Sequence, residues 1–375
     1  MNALRKAGLA ALVLLAGAAP ARAQRTTTVA DAQAVLIPLV EAYGPSGRED
    51  AARDAVLRLL PRWAAPTVDS AGNIRVMIGQ GPPAEVFVAH MDELGFAVTA
   101  IRADGQLVLR ALGGFMPSLF EAEPALVHTR QGSVPAVFTL RDSVGTAPRR
   151  TPTVTVDGRA ALAFRVDLGT RSAAETEALG VAVGDIVTMP KQYVRLAGTR
   201  ATARSFDDRV GCAVQILVLR RLDPARVRRP TLFVFSTREE VGLQGARAVA
   251  NELASAPPAR VYALDTFVSA DAPLEVRTFA DAPLGAGAVA RAVDNSSVTP
   301  PVHLDSLVAL ARERRIPLQV GTSNGGNDGS VFTRYGVADV PIGWPLRYSH
   351  SPAEVIDLRD LVAMADLVTA LVERR

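Results

Sequence analysis

Cysteine is almost absent from this sequence of 375 residues, in which Cys212 is the only one. An internal disulfide is therefore impossible, so the fold must be held together by its hydrophobic core or by bound metal. Histidine is also scarce, with four in the chain, and this scarcity makes the position of each one informative. Hydrophobic residues make up 49% of the sequence and charged residues 21%, a composition that indicates a globular protein and excludes general disorder.

The excess of basic residues is confined to the N-terminus. The formal charge of +3 would by itself favour a nucleic-acid-binding protein. Residues Met1–Ala23, however, combine charged residues, an apolar run (Leu9–Leu15) and the small-residue ending Ala21-Arg22-Ala23, which predicts a secretory signal peptide. Its cleavage would remove three positive charges (Arg5, Lys6 and Arg22) and no acids, which leaves a net charge of 0. Binding to nucleic acid is therefore not expected.

Long hydrophobic runs are also missing. The apolar run near the N-terminus is too short to span a bilayer, and no later stretch is longer. No cysteine lies directly after this apolar run, so a lipid anchor at the cleaved N-terminus is not indicated. We expect an exported protein, periplasmic or secreted, that has no membrane association after cleavage of the signal peptide.

The pattern of predicted strands and helices changes twice along the chain. Residues 24–100 and 201–375 alternate apolar strands with amphipathic helices, which is typical of an α/β domain. Residues 101–200 instead contain short alternating runs separated by glycine, aspartate and proline, which indicate a small β-barrel or sandwich. Because the first pattern resumes after Arg200, the middle region is predicted to be a domain inserted into the α/β domain.

The segment Thr231–Gly245 is the centre of the functional interpretation. Its apolar run Leu232–Phe235 predicts a strand buried on both faces of a parallel sheet. Two adjacent carboxylates, Glu239 and Glu240, follow at the end of the strand, where open α/β sheets place their ligands. Taken alone, such a pair more often marks the acidic start of the next helix.

A second buried strand, Glu85–Ala89, also ends in polar residues. His90 and Asp92 are two positions apart and so share a face of the strand. A carboxylate beside a histidine fixes its tautomer and raises its basicity as a metal ligand. The alternative interpretation is a core histidine with a satisfied hydrogen-bond partner.

Two other motifs are interpreted structurally. Ser46 and Glu49 have the spacing of a capping box, which predicts the start of a helix that runs to about Leu60. The loop Ser323–Gly329 is rich in glycine but lacks the spacing and the lysine of a phosphate-binding loop. We interpret it as a tight turn that lets the backbone approach a site.

Residues that can bind metal recur at the ends of strands and helices, and they are His90, Asp207, Glu240, Asp265 and His350. Mixed imidazole and carboxylate ligands suit zinc, cobalt or manganese. Five ligands are too many for one tetrahedral catalytic ion with an open position, but they suit two ions that share a bridging carboxylate. Glu239 would stay unliganded, as a base that deprotonates a water and returns the proton to a leaving amine. For Asp207 the competing interpretation is a helix cap.

Several motifs resemble those of the tetrahedral (TET) type of glutamyl or deblocking aminopeptidases. They are H-M-D-E-L-G-F (His90–Phe96), D-D-R-V-G (Asp207–Gly211), E-E-V-G-L-Q-G-A (Glu239–Ala246), G-G-N-D (Gly325–Asp328) and R-Y-S-H-S-P (Arg347–Pro352). Further matches lie in Tyr43–Glu49 and Phe164–Asp185. The resemblance covers nearly the whole mature chain in the same order.

The resemblance implies a phosphorylase/hydrolase-like fold, in which a mixed sheet is flanked by helices and a small β-barrel domain for dimerisation or closure is inserted. It also implies a ligand set for two ions. His90 and Asp265 would hold one ion, Glu240 and His350 the other, and Asp207 would bridge them.

The resemblance also assigns roles beyond the ligands. Glu239 would be the general base and Asp92 would orient His90, while the peptide bond between Asp207 and Asp208 would be cis. The chain departs from the family at Asn327, where threonine is more common, and in carrying an export signal, since the family is mostly cytoplasmic.

We therefore predict an exported metallo-aminopeptidase with two divalent ions, zinc or cobalt, with manganese as a third option. It would hydrolyse N-terminal residues from peptides with a free N-terminus, as a homo-oligomer that is a dimer or larger. One alternative is a carboxypeptidase or amide deacylase on a related two-metal scaffold. Another is a non-catalytic peptide-binding protein, although the intact Glu239 and the complete ligand set weigh against it.

Overall fold

A computed structural model describes residues 26–140, 153–156, 159–162, 164–272 and 281–374 of the chain. The predicted signal peptide, Met1–Ala23, lies outside these ranges and stays a prediction. None of the helices within them has the length and hydropathy needed to cross a membrane.

Seven α-helices lie within the described residues. They are α1 (Val29–Glu41), α2 (Asp50–Leu59), α3 (Ala173–Ala178), α4 (Phe206–Arg221), α5 (Gln244–Glu252), α6 (Pro301–Arg314) and α7 (Leu358–Glu373). Local sequence explains several of their starts. Thr28 and Asp31 form a capping box at α1, and the side chain of Asp357 caps α7.

The capping box predicted at Ser46 and Glu49 is wrong. Helix α2 begins at Asp50, and Glu49 at its N-cap position makes no capping hydrogen bond with its side chain. The carboxylate of Glu49 accepts from the backbone N–H of Gly47 instead. The Ser46 hydroxyl points to a partner far away in sequence, which is described below.

The strands belong to one main sheet, one barrel and several small sheets. They are β1 (Thr67–Val68), β2 (Ile74–Ile78), β3 (Glu85–His90), β4 (Gly95–Ile101), β5 (Leu107–Leu112), β6 (Pro124–Thr129), β7 (Gly132–Phe138), β8 (Thr153–Val156), β9 (Arg159–Leu162), β10 (Val166–Asp167), β11 (Ile186–Thr188), β12 (Val194–Arg195), β13 (Arg200–Ala203), β14 (Thr231–Ser236), β15 (Arg260–Ala263), β16 (Phe267–Val268), β17 (Ala288–Val293), β18 (Leu318–Thr322), β19 (Ala338–Asp339), β20 (Ile342–Gly343), β21 (Pro345–Leu346) and β22 (Glu354–Asp357).

The main sheet has the order β1-β2-β14-β3-β15-β19 and is mixed. Strand β14 runs parallel to β3, with Ser236 opposite His90 at their shared end, and antiparallel to β2. All six residues of β14 are buried, as the sequence predicted. Aromatic rings stack across the strands: the ring centroid of Phe87 lies 5.2 Å from that of Phe233 and 4.8 Å from that of Tyr262. Each such buried side chain contributes about 1.5–3 kcal/mol to folding.

Six strands between Gly95 and Thr188 form a closed barrel with the strand order β10-β5-β4-β11-β6-β7. The predicted class, an α/β fold with a small barrel, is therefore confirmed. Phenylalanine rings fill the barrel, and Phe96 lies 5.3 Å from Phe120 and 5.7 Å from Phe164 in edge-to-face contacts. The barrel strands begin at Gly95, directly after the segment that carries His90 and Asp92, so the barrel stands next to that end of β3.

A buried ionic cluster joins the barrel to the α/β domain. The side chain of Glu93 is fully buried, and one of its oxygens lies 2.7 Å from Nζ of Lys191 and 2.7 Å from Nη2 of Arg204. Lys191, which follows the barrel strand β11, also donates to the carbonyl of Ala42 at 2.8 Å. Burial alone would raise the pKa of Glu93, but Arg204, Lys191 and Arg209 hold that pKa well below its usual range. The charged cluster therefore fixes the position of the barrel.

Candidate metal centre

His90 is the last residue of β3, and its ring lies at the centre of the predicted site. Its Nε2 is 3.2 Å from Oδ1 of Asp207 and 3.9 Å from Oε2 of Glu239. Its Nδ1 is 3.2 Å from the carbonyl oxygen of Asp92 and 3.4 Å from Oδ1 of the same residue. These acceptors favour the proton on Nδ1, which leaves the lone pair of Nε2 free to bind a metal on the side of Asp207.

Asp207 lies between the two predicted histidine ligands. One carboxylate oxygen is 3.2 Å from Nε2 of His90, and the other is 3.4 Å from Nε2 of His350. The peptide bond to Asp208 is cis, as the resemblance implied. Asp208 turns away and accepts from the backbone N–H groups of His90 at 2.8 Å and Gly211 at 2.9 Å. The capping interpretation therefore holds for Asp208 and not for Asp207.

Glu240 lies near His350, and Asp265 lies near His90 and Asp207. Oε1 of Glu240 is 3.6 Å from Nε2 of His350 and is buried without a hydrogen-bond partner. Ligand atoms of His90, Asp207 and Asp265 lie within 4.8 Å of one another. Asp265 also has Nη2 of Arg291 at 3.8 Å. All five residues predicted as ligands thus meet in one cluster.

The side chain of His350 is more exposed than that of His90. It follows β21, has a positive φ of 60°, and its side chain is 32% exposed. Its backbone N–H donates to Oε1 of Glu354 at 3.0 Å, and Nδ1 of its ring bonds to the carbonyl oxygen of Gly114 in the barrel.

Asp92 organises the carboxylate pair. Its side chain is fully buried and accepts from the backbone N–H of Glu239 at 2.9 Å and of Glu240 at 3.2 Å. It also accepts from the hydroxyl of Ser46 at 2.6 Å. Asp92 therefore holds the His90 ring and the start of the Glu239–Glu240 turn together.

The separations within the cluster suit metal ligation. Two ligand atoms that share a tetrahedral zinc ion with bonds of about 2.1 Å lie about 3.4 Å apart. The distances from Asp207 to His90 and His350, 3.2 Å and 3.4 Å, agree with this value. The orphaned oxygen of Glu240 is a further acceptor without a donor. The residues present therefore fit bound divalent ions.

The charges in the cluster lead to the same conclusion. Burial and the neighbouring Asp207 carboxylate raise the pKa of Glu240 to about 7 and that of Asp265 to about 6. Burial and the carboxylates around it also raise the pKa of Glu239 well above its usual range. Burial would raise the pKa of Asp207 too, but hydrogen bonds from His350 and His90 lower it. Buried carboxylates with raised pKa values lack positive countercharge, which metal cations would supply.

The remaining motifs lie around this cluster. Asn327 is fully buried, accepts from Gly329 N–H at 2.8 Å and donates to Oδ2 of Asp294 at 2.9 Å. The hydroxyl of Ser236, at the end of β14, bonds to the carboxylate of Asp328. The glycine-rich loop thus supports the end of β14 through Asp328, and its side chains bond to protein groups.

Sequence reasoning missed two groups that touch the site. Ser46 was taken for a helix cap, although it lies in the Tyr43–Glu49 match to the aminopeptidase family. The carbonyl of Gly114 had no sequence signal at all, because any residue carries a carbonyl oxygen.

Comparisons with known proteins agree with the site. A sequence model of the M42 glutamyl aminopeptidase family matches residues 72–367. The chain belongs to this family. It is therefore a metal-dependent aminopeptidase, and the family suspected from its motifs is confirmed.

Individual relatives cover almost the whole chain. The chain is 29% identical over 350 residues to a lysyl aminopeptidase of Pyrococcus furiosus, and the aligned region covers 89% of this chain and 95% of that protein. It resembles the structure of an aminopeptidase from Desulfurococcus kamchatkensis, with a TM-score of 0.82, 29% identity and coverage of 92% and 96% of the two chains. It also resembles the TET1 peptidase of Pyrococcus horikoshii, with a TM-score of 0.80, 28% identity and coverage of 92% and 100%.

Proposed function

We propose that this protein is an exported aminopeptidase that uses two divalent metal ions to remove N-terminal residues from peptides with a free N-terminus. The observation that carries the proposal is the position of Asp207, which directs one oxygen toward His90 and the other toward His350. A carboxylate placed in this way suits a bridge between two ions.

The ligands divide into two sets around this bridge. His90 and Asp265 would hold one ion, and Glu240 and His350 would hold the other, with Asp207 shared. When bound, the ions would polarise the scissile carbonyl and make a nearby water more acidic. Nitrogen and oxygen ligands without a thiolate suit zinc or cobalt, with manganese as a third option.

Glu239 would act as the general base. Oε2 of its side chain is 3.9 Å from Nε2 of His90, beside the cluster, and its backbone is fixed by Asp92. From there the carboxylate can take a proton from the attacking water and deliver it to the nitrogen of the leaving amine. Asp92 would hold both His90 and Glu239 in position for this transfer.

The charge around the site favours a substrate with a free amine. The three ligand carboxylates would largely neutralise the ions that they hold, which leaves Glu239 as the acidic group that a substrate's free amine can approach. A carboxypeptidase would instead need a cation that faces the substrate's carboxylate. Among the residues that line the cleft beside Glu240 and His350, the arginine is Arg204, and its guanidinium is already bonded to the carbonyl of Leu94 and the carboxylate of Glu93. This arrangement supports the aminopeptidase over the carboxypeptidase or deacylase.

Assembly and export complete the proposal. The TET1 peptidase of Pyrococcus horikoshii can assemble into a tetrahedron or a large octahedral shell. We propose that this chain is likewise a homo-oligomer, a dimer or larger. The pattern of charges, apolar run and small residues in Met1–Ala23 supports export to the periplasm or the medium.

The decisive experiment compares Glu239→Gln with Glu240→Gln. Glu239→Gln removes the base but no ligand, so both ions should be retained while kcat falls by about 10²–10⁴-fold. Glu240→Gln is the matched control, in which the metal content itself should fall. Metal analysis of dialysed protein and hydrolysis of aminoacyl chromogenic amides measure the two effects. Near-normal turnover by Glu239→Gln would show that the base is misassigned.

A second measurement separates the aminopeptidase from the deacylase. Peptides with a free N-terminus should be hydrolysed, and the same peptides acetylated at the N-terminus should not. Preference for the acetylated peptides would favour the deacylase.

A further inference from the structure

The barrel approaches the metal centre at the turn Gly113–Gly114, which follows β5. The carbonyl oxygen of Gly114 accepts a hydrogen bond from Nδ1 of His350, although the two residues are 236 positions apart. A Cβ at Gly113 would lie 2.3 Å from Cδ2 of Leu94 and 3.3 Å from Oε2 of Glu240. The turn therefore touches both side chains of the Glu240–His350 ligand pair.

The contact to His350 decides how its ring can act. A histidine that binds a metal through Nε2 carries its proton on Nδ1, and the acceptor of that proton fixes the orientation of the ring. For His90 the acceptor is Asp92, which belongs to the α/β domain. For His350, Gly114 is the hydrogen-bond partner of Nδ1 within the described residues, and it belongs to the barrel.

We propose that the barrel is a working part of the metal centre. The carbonyl of Gly114 is a positioning group that aims Nε2 of His350 at its ion, so the seating of the barrel determines how tightly this half of the site holds metal. The inference rests on the proposed two-metal function and deepens it, because it makes one ligand dependent on the inserted domain.

The local backbone is built for this close approach. Gly113 has a φ of 105° and almost no free space for a side chain, so alanine there is both strained and crowded. Gly114 has no positive φ, and a Cβ on it would meet nothing within 4 Å. Gly113→Ala therefore displaces the turn through its own backbone strain and its contact with Leu94, while the carbonyl group of Gly114 is kept.

The test measures metal affinity without substrate, by competition of the full-length protein with a chromogenic zinc chelator. Wild type should bind two ions. Gly113→Ala should bind one of them about 10–100-fold more weakly, the loss expected when the group that orients a ligand is displaced.

A second variant controls for backbone strain in the barrel. Gly132 has a φ of 135° and no atom within 4 Å of a built Cβ, so Gly132→Ala adds strain on the barrel without touching the site. It should bind both ions normally. The inference is overturned if Gly113→Ala binds both ions like wild type, or if Gly132→Ala loses an ion to the same extent.

A fourth protein covers the possibility that Gly113→Ala does not fold. Genetic encoding of Nδ1-methylhistidine at position 350 leaves the barrel unchanged and removes the proton that Gly114 accepts. It should weaken one ion by the same factor, and normal binding of both ions would overturn the inference. If wild type itself binds fewer than two ions, the proposed two-metal function is wrong. If wild type binds two ions and Gly113→Ala binds both equally well, only the inference about the barrel is wrong.

Discussion

The two halves of the proposed two-metal centre are built from different kinds of structure. His90 ends a central strand, its side chain is 3% exposed, and its backbone and ring are held by Asp208 and Asp92 of the same domain. His350 follows a short strand and itself has a φ of 60°. Its side chain is 32% exposed, and its ring is hydrogen-bonded to the barrel. The first half is fixed when the sheet forms, whereas the second is complete only when two domains are in contact. We therefore expect the ion at His90 to be the tighter of the two.

Asp207→Asn should have the largest effect because this residue contacts both halves. Loss of the shared carboxylate should weaken both ions, and kcat/KM should fall by about 10³-fold or more, since metal ions supply several kcal/mol of transition-state stabilisation. Metal analysis after dialysis and steady-state kinetics test this expectation. Retention of both ions would contradict the bridging role.

Glu93→Gln should weaken the attachment of the barrel to the α/β domain and so lower the free energy of unfolding. Removing the single acid from a buried cluster with Lys191, Arg204 and Arg209 leaves unpaired buried charge, and this costs about 3–5 kcal/mol of the free energy of unfolding. Urea denaturation at pH 7 measures it. Glu252→Gln, which breaks an ion pair whose carboxylate side is 57% exposed, is the control and should cost less than about 1 kcal/mol. Equal effects of the two variants would remove the structural role of the cluster.

The same carboxylate predicts the direction of the pH dependence. The pKa of Glu93 is lower in the folded protein than its usual value, so its contribution to stability is present above about pH 4.3 and is lost as the pH falls toward the folded pKa. Wild type should therefore lose stability relative to Glu93→Gln as the pH is lowered below about 4.3. A difference that stays constant down to strongly acidic pH would contradict the ion pairing.

Asp92→Asn should affect the His90 half more than the His350 half. Asparagine offers one oxygen in place of the two that accept from Ser46, Glu239 and Glu240, and affinity or activity typically falls about 10–100-fold when such a partner is lost. The ion at His90 should weaken more, because His350 keeps its contact to Gly114. Ser46→Ala, which removes one donor and no acceptor, should have a much smaller effect. Chelator competition measures the affinity of each ion, and equal weakening of both ions would contradict the expected difference between the two halves.

Asn327→Thr should have the smallest effect and should spare both halves. Threonine offers one shorter hydroxyl in place of the separate oxygen and nitrogen with which the amide reaches Gly329 and Asp294, so a buried polar group is left poorly satisfied at a cost of about 1–3 kcal/mol. Thermal or urea denaturation should show this loss with unchanged metal content. Loss of an ion would instead show that the loop supports Asp265 directly.

Sequence reasoning predicted the parts of the site that depend on local pattern. The apolar run of β14 and the strand before His90 identify buried neighbours, and parallel strands bring their ends to one edge. From strand ends alone Glu239, Glu240 and His90 could be placed near one another. The pattern could not distinguish Asp207 from Asp208, because both precede a helix and only the backbone geometry decides which one turns toward the site.

The parts that were missed depend on long-range packing. Ser46 and Glu49 satisfy the local rule for a helix cap, yet the hydroxyl of Ser46 bonds to Asp92, 46 positions away. The hydrogen bond between Gly114 and His350 uses a backbone oxygen and spans 236 positions. Neither contact leaves a mark in residue spacing, since the first joins distant segments of the α/β domain and the second exists only after the barrel has docked on that domain.

The buried ammonium of Lys191 has a practical consequence for chemical labelling. Lys6 and Lys191 are the only lysines in the sequence, and the side chain of Lys191 is fully shielded. Amine-directed cross-linkers and acylating dyes therefore have no lysine to reach beyond residue 6 while the barrel is seated, so a negative cross-linking result says nothing about subunit association. Acylation of Lys191 would instead report the moments at which the two domains part.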